Sequence, residues 1–112
     1  MPQTEKLPNK MPILRISRGS FKPEDYEKIK ARLDESQQAL VPAIRILSGC
    51  MHYWAGIDRM TSTMINVSVW KSLSDAKRME TLPPMLALAS EFVKLGVIFE
   101  RPIANYETLW QI

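Results

Sequence analysis

The sequence predicts a single α+β domain in which one antiparallel sheet is covered by two helical regions. Three observations support this class. Apolar residues make up 46% and charged residues 24% of the 112 residues, the mix of a globular chain. Several segments alternate between apolar and polar residues, as half-buried strands do. Two further segments repeat apolar residues at helical spacing. We expect residues 11–112 to form the domain, and the polar residues 1–10 to form a flexible arm.

The first half of the domain is predicted to contain one strand and one helix. The strand covers residues 11–18, and Gly19 ends it. The helix begins at Pro23, because proline suits the first helical turn. We expect it to fade before Pro42, since proline disfavours helical geometry in the preceding residue. Residues 43–47 then form a further short turn or a strand.

Two strands follow at residues 50–58 and 64–71, joined by a polar connection of hairpin length at residues 59–63. On the second of these strands the apolar side chains of one face are Ile65, Val67 and Val69. The residues of its other face are Met64, Asn66, Ser68 and Trp70. On the first of the two strands, simple alternation assigns one face to Cys50, His52 and Trp54.

The second helical region begins near Ser72, with Ser72 or Ser74 as its cap and Asp75 completing a capping box. Pro83 and Pro84 interrupt this region or split it in two. After a split, the second piece covers residues 85–95 and Gly96 stops it.

A final strand is predicted at residues 106–112. The resulting order, β-α-β-β-α-β, is the split βαβ or ferredoxin-like arrangement. In that arrangement helices cover only one face of the sheet, and the other face needs a cover. The final strand is rich in Tyr, Leu, Trp and Ile, which makes it too apolar to leave bare. We therefore expect a second, identical subunit to cover that face and form a homodimer.

Composition excludes several classes of function. The net charge is only +3 and basic residues are scattered among acidic ones, so no nucleic-acid-binding stripe is expected. No apolar run approaches the ~18 residues of a membrane span. The single cysteine, Cys50, cannot form an internal disulfide and favours a cytoplasmic protein. One histidine and one cysteine make a poor ligand set, so no metal site is expected. The isolated glycines form no phosphate-binding loop.

Three segments carry a resemblance to a known family. They are the strand end and helix start at Trp70-Lys71-Ser72 with Ala76 four residues on, the strand entry Ser48-Gly49-Cys50-Met51 with Tyr53, and the closing Asn105-Tyr106-Glu107. Together they resemble the antibiotic-biosynthesis-monooxygenase-like branch of the dimeric α+β barrel superfamily, over residues 11–112. The resemblance implies two sheets meeting across a dimer, a ligand pocket between each sheet and its own helices, and no cofactor. It also implies that Trp70 faces the pocket, together with Asn66 and Ser68.

The candidate site residues follow from that orientation. Asn66 and Trp70 point the same way, and in the quinone-forming members an Asn and a Trp at this spacing contact the phenolic substrate. An amide can hold a phenolate oxygen, and an indole can stack on a flat aromatic. His52, the only histidine, is a candidate general base, although a strand histidine or tryptophan can equally be a core residue. The remaining predicted pocket residues are Ser68, Trp54, Tyr53 and Met79.

Some family features are missing from the sequence. Ala76 stands where a family tyrosine is expected, and the first strand offers Arg15 and Ser17 but no asparagine. The absence of histidine from residues 73–96 excludes the iron ligation of the haem-degrading members.

The sequence therefore predicts a cofactor-independent monooxygenase-like protein acting on a small flat aromatic of the phenol, hydroquinone or anthrone type. The alternative is a non-catalytic or stress-related small-molecule-binding homodimer on the same scaffold. A third possibility is an acid–base enzyme such as an isomerase or dehydratase.

Overall fold

A computed structural model describes residues 11–112, so the predicted arm at residues 1–10 lies outside the described residues. In the described chain the strands are β1 Ile13–Ser20, β2 Cys50–Asp58, β3 Thr63–Trp70, β4 Ile98–Phe99 and β5 Ala104–Glu107. The helices are α1 Tyr26–Glu35, α2 Gln37–Ile46, α3 Leu73–Lys77 and α4 Pro83–Lys94. Short 3-10 turns precede α1 at Pro23–Asp25 and follow α3 at Arg78–Glu80.

The strands form one antiparallel sheet in the order β2-β3-β1, and β4 and β5 both pair with the free edge of β1. β5 pairs with the first half of β1 and β4 with its end. The predicted ferredoxin-like α+β fold is confirmed, and the sheet of the single chain is open. None of the helices within residues 11–112 is long and apolar enough to cross a membrane.

The first helical region continues further than predicted. α2 runs through Pro42 to Ile46, so the prediction of a helix end before Pro42 and of a turn or strand at 43–47 is wrong. Leu40 and Ile44 lie one helical turn apart on either side of the proline, and both are buried in the core. Burying these two side chains outweighs the hydrogen bond that the exposed proline removes.

The second helical region is split into α3 and α4, which was one of the two outcomes predicted for Pro83 and Pro84. The Ser72 hydroxyl accepts a hydrogen bond from the Asp75 backbone N–H at 3.1 Å, which identifies Ser72 as the cap of α3. Pro83 then opens α4 as its first residue. Gly96 follows the end of α4 with a φ of +101°, a left-handed conformation that favours glycine.

The predicted final strand at residues 106–112 is wrong in its bounds. β5 ends at Glu107, and residues 108–112 are not in a strand. The reason lies in its partner: Glu107 pairs with Ile13, the first residue of β1, so no strand continues beside the residues that follow. Sheet hydrogen bonds need a neighbouring strand, whatever the local sequence prefers.

The predicted faces of β2 are also corrected. A shift in register between Cys50 and His52 inserts an extra residue into β2, which reverses the alternation. Cys50 therefore pairs with Trp70 and packs against the core, whereas His52 and Trp54 pair with Val69 and Val67. The rings of His52 and Trp54 stack there, with centroids 5.3 Å apart.

The sheet consequently has two different faces. The helix-covered face supplies part of the core, which includes the fully buried Trp70 and Met64 and the helix residue Ile29. We call the opposite side the open face. Its central apolar residues are Leu14 and Ile16 on β1, which pair with Val69 and Val67 on β3, and Ile65, which pairs with Arg18.

Candidate functional site

A cavity of about 350 Å³ lies between the helix-covered face of the sheet, α4 and residues 101–103, and we call it the central cavity. Its apolar walls include Met64, Met79, Met85, Leu88, Phe92 and Phe99. Its polar and charged lining residues include Arg15, Ser17, Asn66, Glu80 and Arg101. An apolar cavity with a few converging polar groups is typical of small-molecule sites.

Two further spaces adjoin the central cavity. A small inner recess of about 40 Å³ shares Arg15, Asn66 and Met79 with it and adds Tyr53 and Ser68. A wider helix groove of about 630 Å³ runs between α1, α2 and β2, and shares Asn66 with the other two. We regard the central cavity and its recess as the candidate site, because they contain the buried charge of Arg15, whereas the charged residues that line the helix groove are exposed.

Three polar residues of the recess lie in one row across the sheet, and Asn105 continues that row. Arg15 on β1 is paired with Ser68 on β3 and, on its other side, with Asn105 on β5. Ser68 is paired in turn with Tyr53 on β2. Residues paired in this way point to the same face of a sheet, so four strands bring four polar side chains into line.

Arg15 is the buried charge of the site, with only 6% of its surface exposed. Its Nη1 donates a hydrogen bond to Asn105 Oδ1 at 3.1 Å and lies 3.7 Å from Glu80 Oε2. Burial lowers the pKa of Arg15, and the nearby Glu80 carboxylate opposes that shift. The guanidinium stays protonated at neutral pH because its ordinary pKa lies so far above it.

Tyr53 provides a neutral phenol beside this charge. Burial raises the pKa of Tyr53, and the positive charge of Arg15 offsets only part of that effect. Its hydroxyl makes no hydrogen bond to another residue within 11–112, so its O–H can donate to a ligand in the recess.

Trp70 is a core residue in this structure. It has no exposed surface and does not line the central cavity, the recess or the groove. Its indole N–H donates to the Ser68 hydroxyl oxygen at 2.8 Å. Trp70 therefore holds Ser68 in place, and the Ser68 O–H can donate into the recess.

The structure brings together only some of the site residues predicted from sequence. Asn66, Ser68, Tyr53 and Met79 line the recess together. His52 and Trp54 lie on the open face, because the β2 bulge reverses their orientation, and they line none of these spaces.

Sequence reasoning missed three charged residues of the site, Arg15, Glu80 and Arg101. Strand alternation does put Arg15 on one face with Ser17. The unused signal was that an arginine on the inner face of a strand needs a partner or a ligand. Within residues 11–112, no group of three or more His, Cys, Asp or Glu side chains is placed to hold a metal ion.

Comparison with solved structures shows proteins of the same fold. A protein from Deinococcus radiodurans, provisionally described as an antibiotic biosynthesis monooxygenase, is 20% identical, with a TM-score of 0.69 over 89% of this chain and 95% of that one. A similarly described protein from Nitrosomonas europaea is 16% identical, with a TM-score of 0.69 over 90% and 93%. A cofactor-independent oxygenase from Streptomyces nogalater is 14% identical, with a TM-score of 0.61 over 91% and 97%.

These matches confirm the resemblance to antibiotic-biosynthesis-monooxygenase-like proteins at the level of the fold. No family model matches the sequence. No curated protein matches it either. At such low identities the similarity does not extend to the reaction, which has to be argued from the site itself.

Proposed function

We propose that this chain is a cofactor-independent oxygenase that acts on a small flat aromatic carrying an ionisable hydroxyl group, and that the central cavity is its active site. The observation that carries the proposal is the approach of Asn66 and the buried Arg15 to one apolar cavity. The shared fold with a cofactor-independent oxygenase supports it.

The cavity suits the binding of a phenolate or an enolate. Its walls of methionine, leucine and phenylalanine match a flat apolar ring, and methionine adapts to rings of different outline. The Asn66 amide can donate to the substrate oxygen. The Arg15 cation favours the deprotonated substrate, because opposite charges attract strongly in a partly desolvated site.

The proposed reaction needs only molecular oxygen as co-reactant. An acidic C–H of the substrate loses its proton to water at the cavity mouth, and the resulting carbanion transfers electrons to O₂. A C–O bond forms, and protonation gives a hydroperoxide. Loss of water then breaks the O–O bond and leaves a carbonyl group, so a CH₂ group and O₂ become C=O and H₂O. The residues bind and orient the anion, and the substrate supplies the electrons.

We also propose that the working protein is a homodimer joined through the open face. Leu14, Ile16, Val67 and Val69 form an apolar patch at the centre of the open face, Ile65 extends it opposite Arg18, and the exposed ring of Trp54 lies beside it. Val69 is already buried within the chain, and the other four patch residues are partly exposed. An apolar sheet face that no helix covers is characteristic of an interface between subunits. In such a dimer the cavity would stay accessible, because it lies on the other side of the sheet.

Oxygen uptake tests the proposed reaction. The protein is mixed with a panel of hydroquinones and anthrones, without metal or flavin, and oxygen is followed with an electrode. We expect Asn66→Ala to lower the rate on the order of 10²-fold, the usual cost of removing one aimed hydrogen-bond donor. Gln38→Ala removes a matched amide from the exposed side of α2 and should leave the rate unchanged. Failure of the wild-type protein to consume oxygen with every panel member would overturn the proposal.

A second candidate is a non-catalytic binding protein for the same class of molecule. It is favoured by the burial of Trp70 and the orientation of His52, which leave the cavity without a stacking indole or an imidazole base. In that case panel members would bind without oxygen uptake, and Asn66→Ala would change only their dissociation constants.

A further inference from the structure

We infer that the central cavity selects a flat aromatic acid, whose carboxylate is bound by Arg15, over neutral aromatics of the same shape. The inference rests on the proposed function only in taking the central cavity as the place where a flat aromatic binds. It names the class of ligand and identifies Arg15 as the residue that determines specificity.

Two of the three guanidinium nitrogens of Arg15 have no hydrogen-bond partner within residues 11–112. Its contacts with Asn105 and Glu80 both involve Nη1. Nε and Nη2 make no hydrogen bond to another side chain or backbone group within residues 11–112. Among residues 11–112, one side-chain nitrogen or oxygen is fully buried without a hydrogen-bond partner, and that atom is Arg78 Nε. Nε and Nη2 of Arg15 are therefore not fully buried, and the residue that carries them lines both the central cavity and its recess.

The two remaining nitrogens of Arg15 have the geometry that a carboxylate needs. Nε and Nη2 lie on one edge of the planar guanidinium and carry parallel N–H bonds. A carboxylate accepts two such bonds at once, and this paired arrangement is among the strongest hydrogen-bonded contacts in proteins. A hydroxyl or an amide oxygen cannot match both donors with a full charge.

The cavity wall carries a net positive charge. Arg15 and Arg101 contribute two positive charges, and among the residues 11–112 that line the central cavity Glu80 is the only carboxylate. Glu80 is a weak partner, since its side chain is 53% exposed and its oxygen lies 3.7 Å from Arg15. A buried arginine that is only partly paired is costly, so a bound anion would stabilise the site.

The central cavity also offers further hydrogen-bond donors and an aromatic wall. Ser17 and Asn66, which are paired on β1 and β3, line the cavity next to the row that contains Arg15. They can donate further hydrogen bonds to the anion. The rings of Phe92 and Phe99 lie edge to face with centroids 6.5 Å apart and form an apolar wall for the aromatic part of the ligand.

The test compares two probes of the same shape, 3-hydroxy-2-naphthoate and 3-hydroxy-2-naphthamide, in which a charged carboxylate is replaced by a neutral amide. Their dissociation constants are measured at pH 7 by calorimetry on the full chain under nitrogen. We expect the naphthoate to bind about 10- to 100-fold more tightly, as charge-assisted hydrogen bonds allow. In Arg15→Met this preference should fall to about twofold or less. Arg45→Met removes an exposed arginine from α2 and should keep the wild-type preference.

A second variant keeps the test decisive if Arg15→Met does not fold. Glu80→Gln removes the carboxylate that competes for Arg15, and should tighten the naphthoate several-fold without changing the naphthamide. Arg15→Lys keeps the charge but loses the paired donors, so an intermediate preference is expected.

Equal binding of the two probes by the wild-type protein, or binding of neither, would overturn the inference. So would a preference that survives in Arg15→Met, or Glu80→Gln binding the naphthoate no more tightly. The oxygenase proposal fails separately. If the protein oxidises neutral hydroquinones and shows no preference for acids, the oxygenase proposal is supported and the role of Arg15 in selectivity is wrong. If it binds naphthoate selectively but takes up no oxygen, the role of Arg15 is supported and the oxygenase proposal is wrong.

Discussion

Single residues decide the chemistry of this site through their positions in a sheet row. Asn105, Arg15, Ser68 and Tyr53 stand side by side on four strands. Behind them, Trp70 donates its indole hydrogen to Ser68 from within the core. The core and the polar row are thus linked through one hydroxyl, so a change in the core is transmitted to the recess.

Trp70→Phe tests that link. The phenyl ring fills less volume and cannot donate to the Ser68 hydroxyl oxygen, which is itself buried. We expect a loss of about 1–3 kcal/mol in the free energy of unfolding, measured by urea denaturation. Trp110→Phe is the control, because Trp110 is 76% exposed. Equal stability of the two variants would show that the indole hydrogen bond contributes nothing.

At the scale of elements, the helical layer is continuous across residues that disfavour helices. α1 and α2 meet at Ser36, whose hydroxyl donates to the Leu33 carbonyl at 2.6 Å. Pro42 then lies within α2 without ending it. The buried side chains on the sheet side of this layer hold it in place, because their burial exceeds the cost of a missing backbone hydrogen bond.

Pro42→Ala should accordingly stabilise the protein. Alanine restores a donor for the carbonyl one turn earlier and favours the helix, although it also gives the unfolded chain more freedom. We expect a net gain of about 1–3 kcal/mol in the free energy of unfolding. Pro84→Ala is the matched control, since Pro84 lies in the first turn of α4, where no helical donor is needed. A destabilised Pro42→Ala would contradict the prediction and show that the proline stabilises the folded chain.

The ion pair between α1 and α4 makes stability depend on pH. Arg32 donates from Nε and Nη2 to the two carboxylate oxygens of Glu91, at 3.1 and 2.6 Å. This hydrogen bonding lowers the pKa of Glu91 below its ordinary value of 4.5. The pair therefore stabilises the fold above pH 4.5, and the contribution is lost as the pH falls through the lowered pKa.

Urea midpoints measured from pH 7 down to acid should thus fall less steeply in Glu91→Gln than in the wild-type protein. Glu24→Gln, which removes a carboxylate without an ion pair in the described part of the chain, should follow the wild-type curve. A Glu91→Gln curve parallel to wild type would show that the pair is too well solvated to matter.

At the scale of the whole molecule, the two faces of the sheet have opposite roles. The helix-covered face holds the cavity, and the open face carries an apolar surface that ends at the stacked rings of His52 and Trp54. In our proposal the same strands therefore serve ligand binding on one side and assembly on the other. This division explains why a one-residue bulge in β2 has such a large effect on which side chains lie on the side of the cavity.

Val67→Asp tests the proposed dimer. Val67 lies on β3 between Ile65 and Val69 on the open face, so an aspartate there would place an unpaired charge in the interface. We expect the wild-type protein to sediment as a dimer at micromolar concentration and the variant to sediment as a monomer or to unfold. Val93→Asp changes an exposed valine of α4 and should leave the dimer intact. A wild-type protein that sediments as a monomer would contradict the proposal.

The sequence by itself determined the class of fold and most of the elements. Clean alternation predicted β3 and the position of Asn66 and Ser68 on one face. The serine, proline and glycine signals predicted the start of α3 and, to within two residues, the limits of α4. These features are local, because alternation, capping and left-handed conformations depend on a few neighbouring residues. Such local features can be predicted without knowing which residues pack against them in the folded protein.

Only the tertiary structure decided the rest. The bulge that turns His52 away from the cavity depends on pairing with β3, and the end of β5 depends on where β1 begins. The burial of Trp70 and the polar row around Arg15 likewise depend on residues far apart in the chain. Packing and strand register are long-range properties, so local patterns predict that a polar side chain lies on a face without predicting which groups it will meet there.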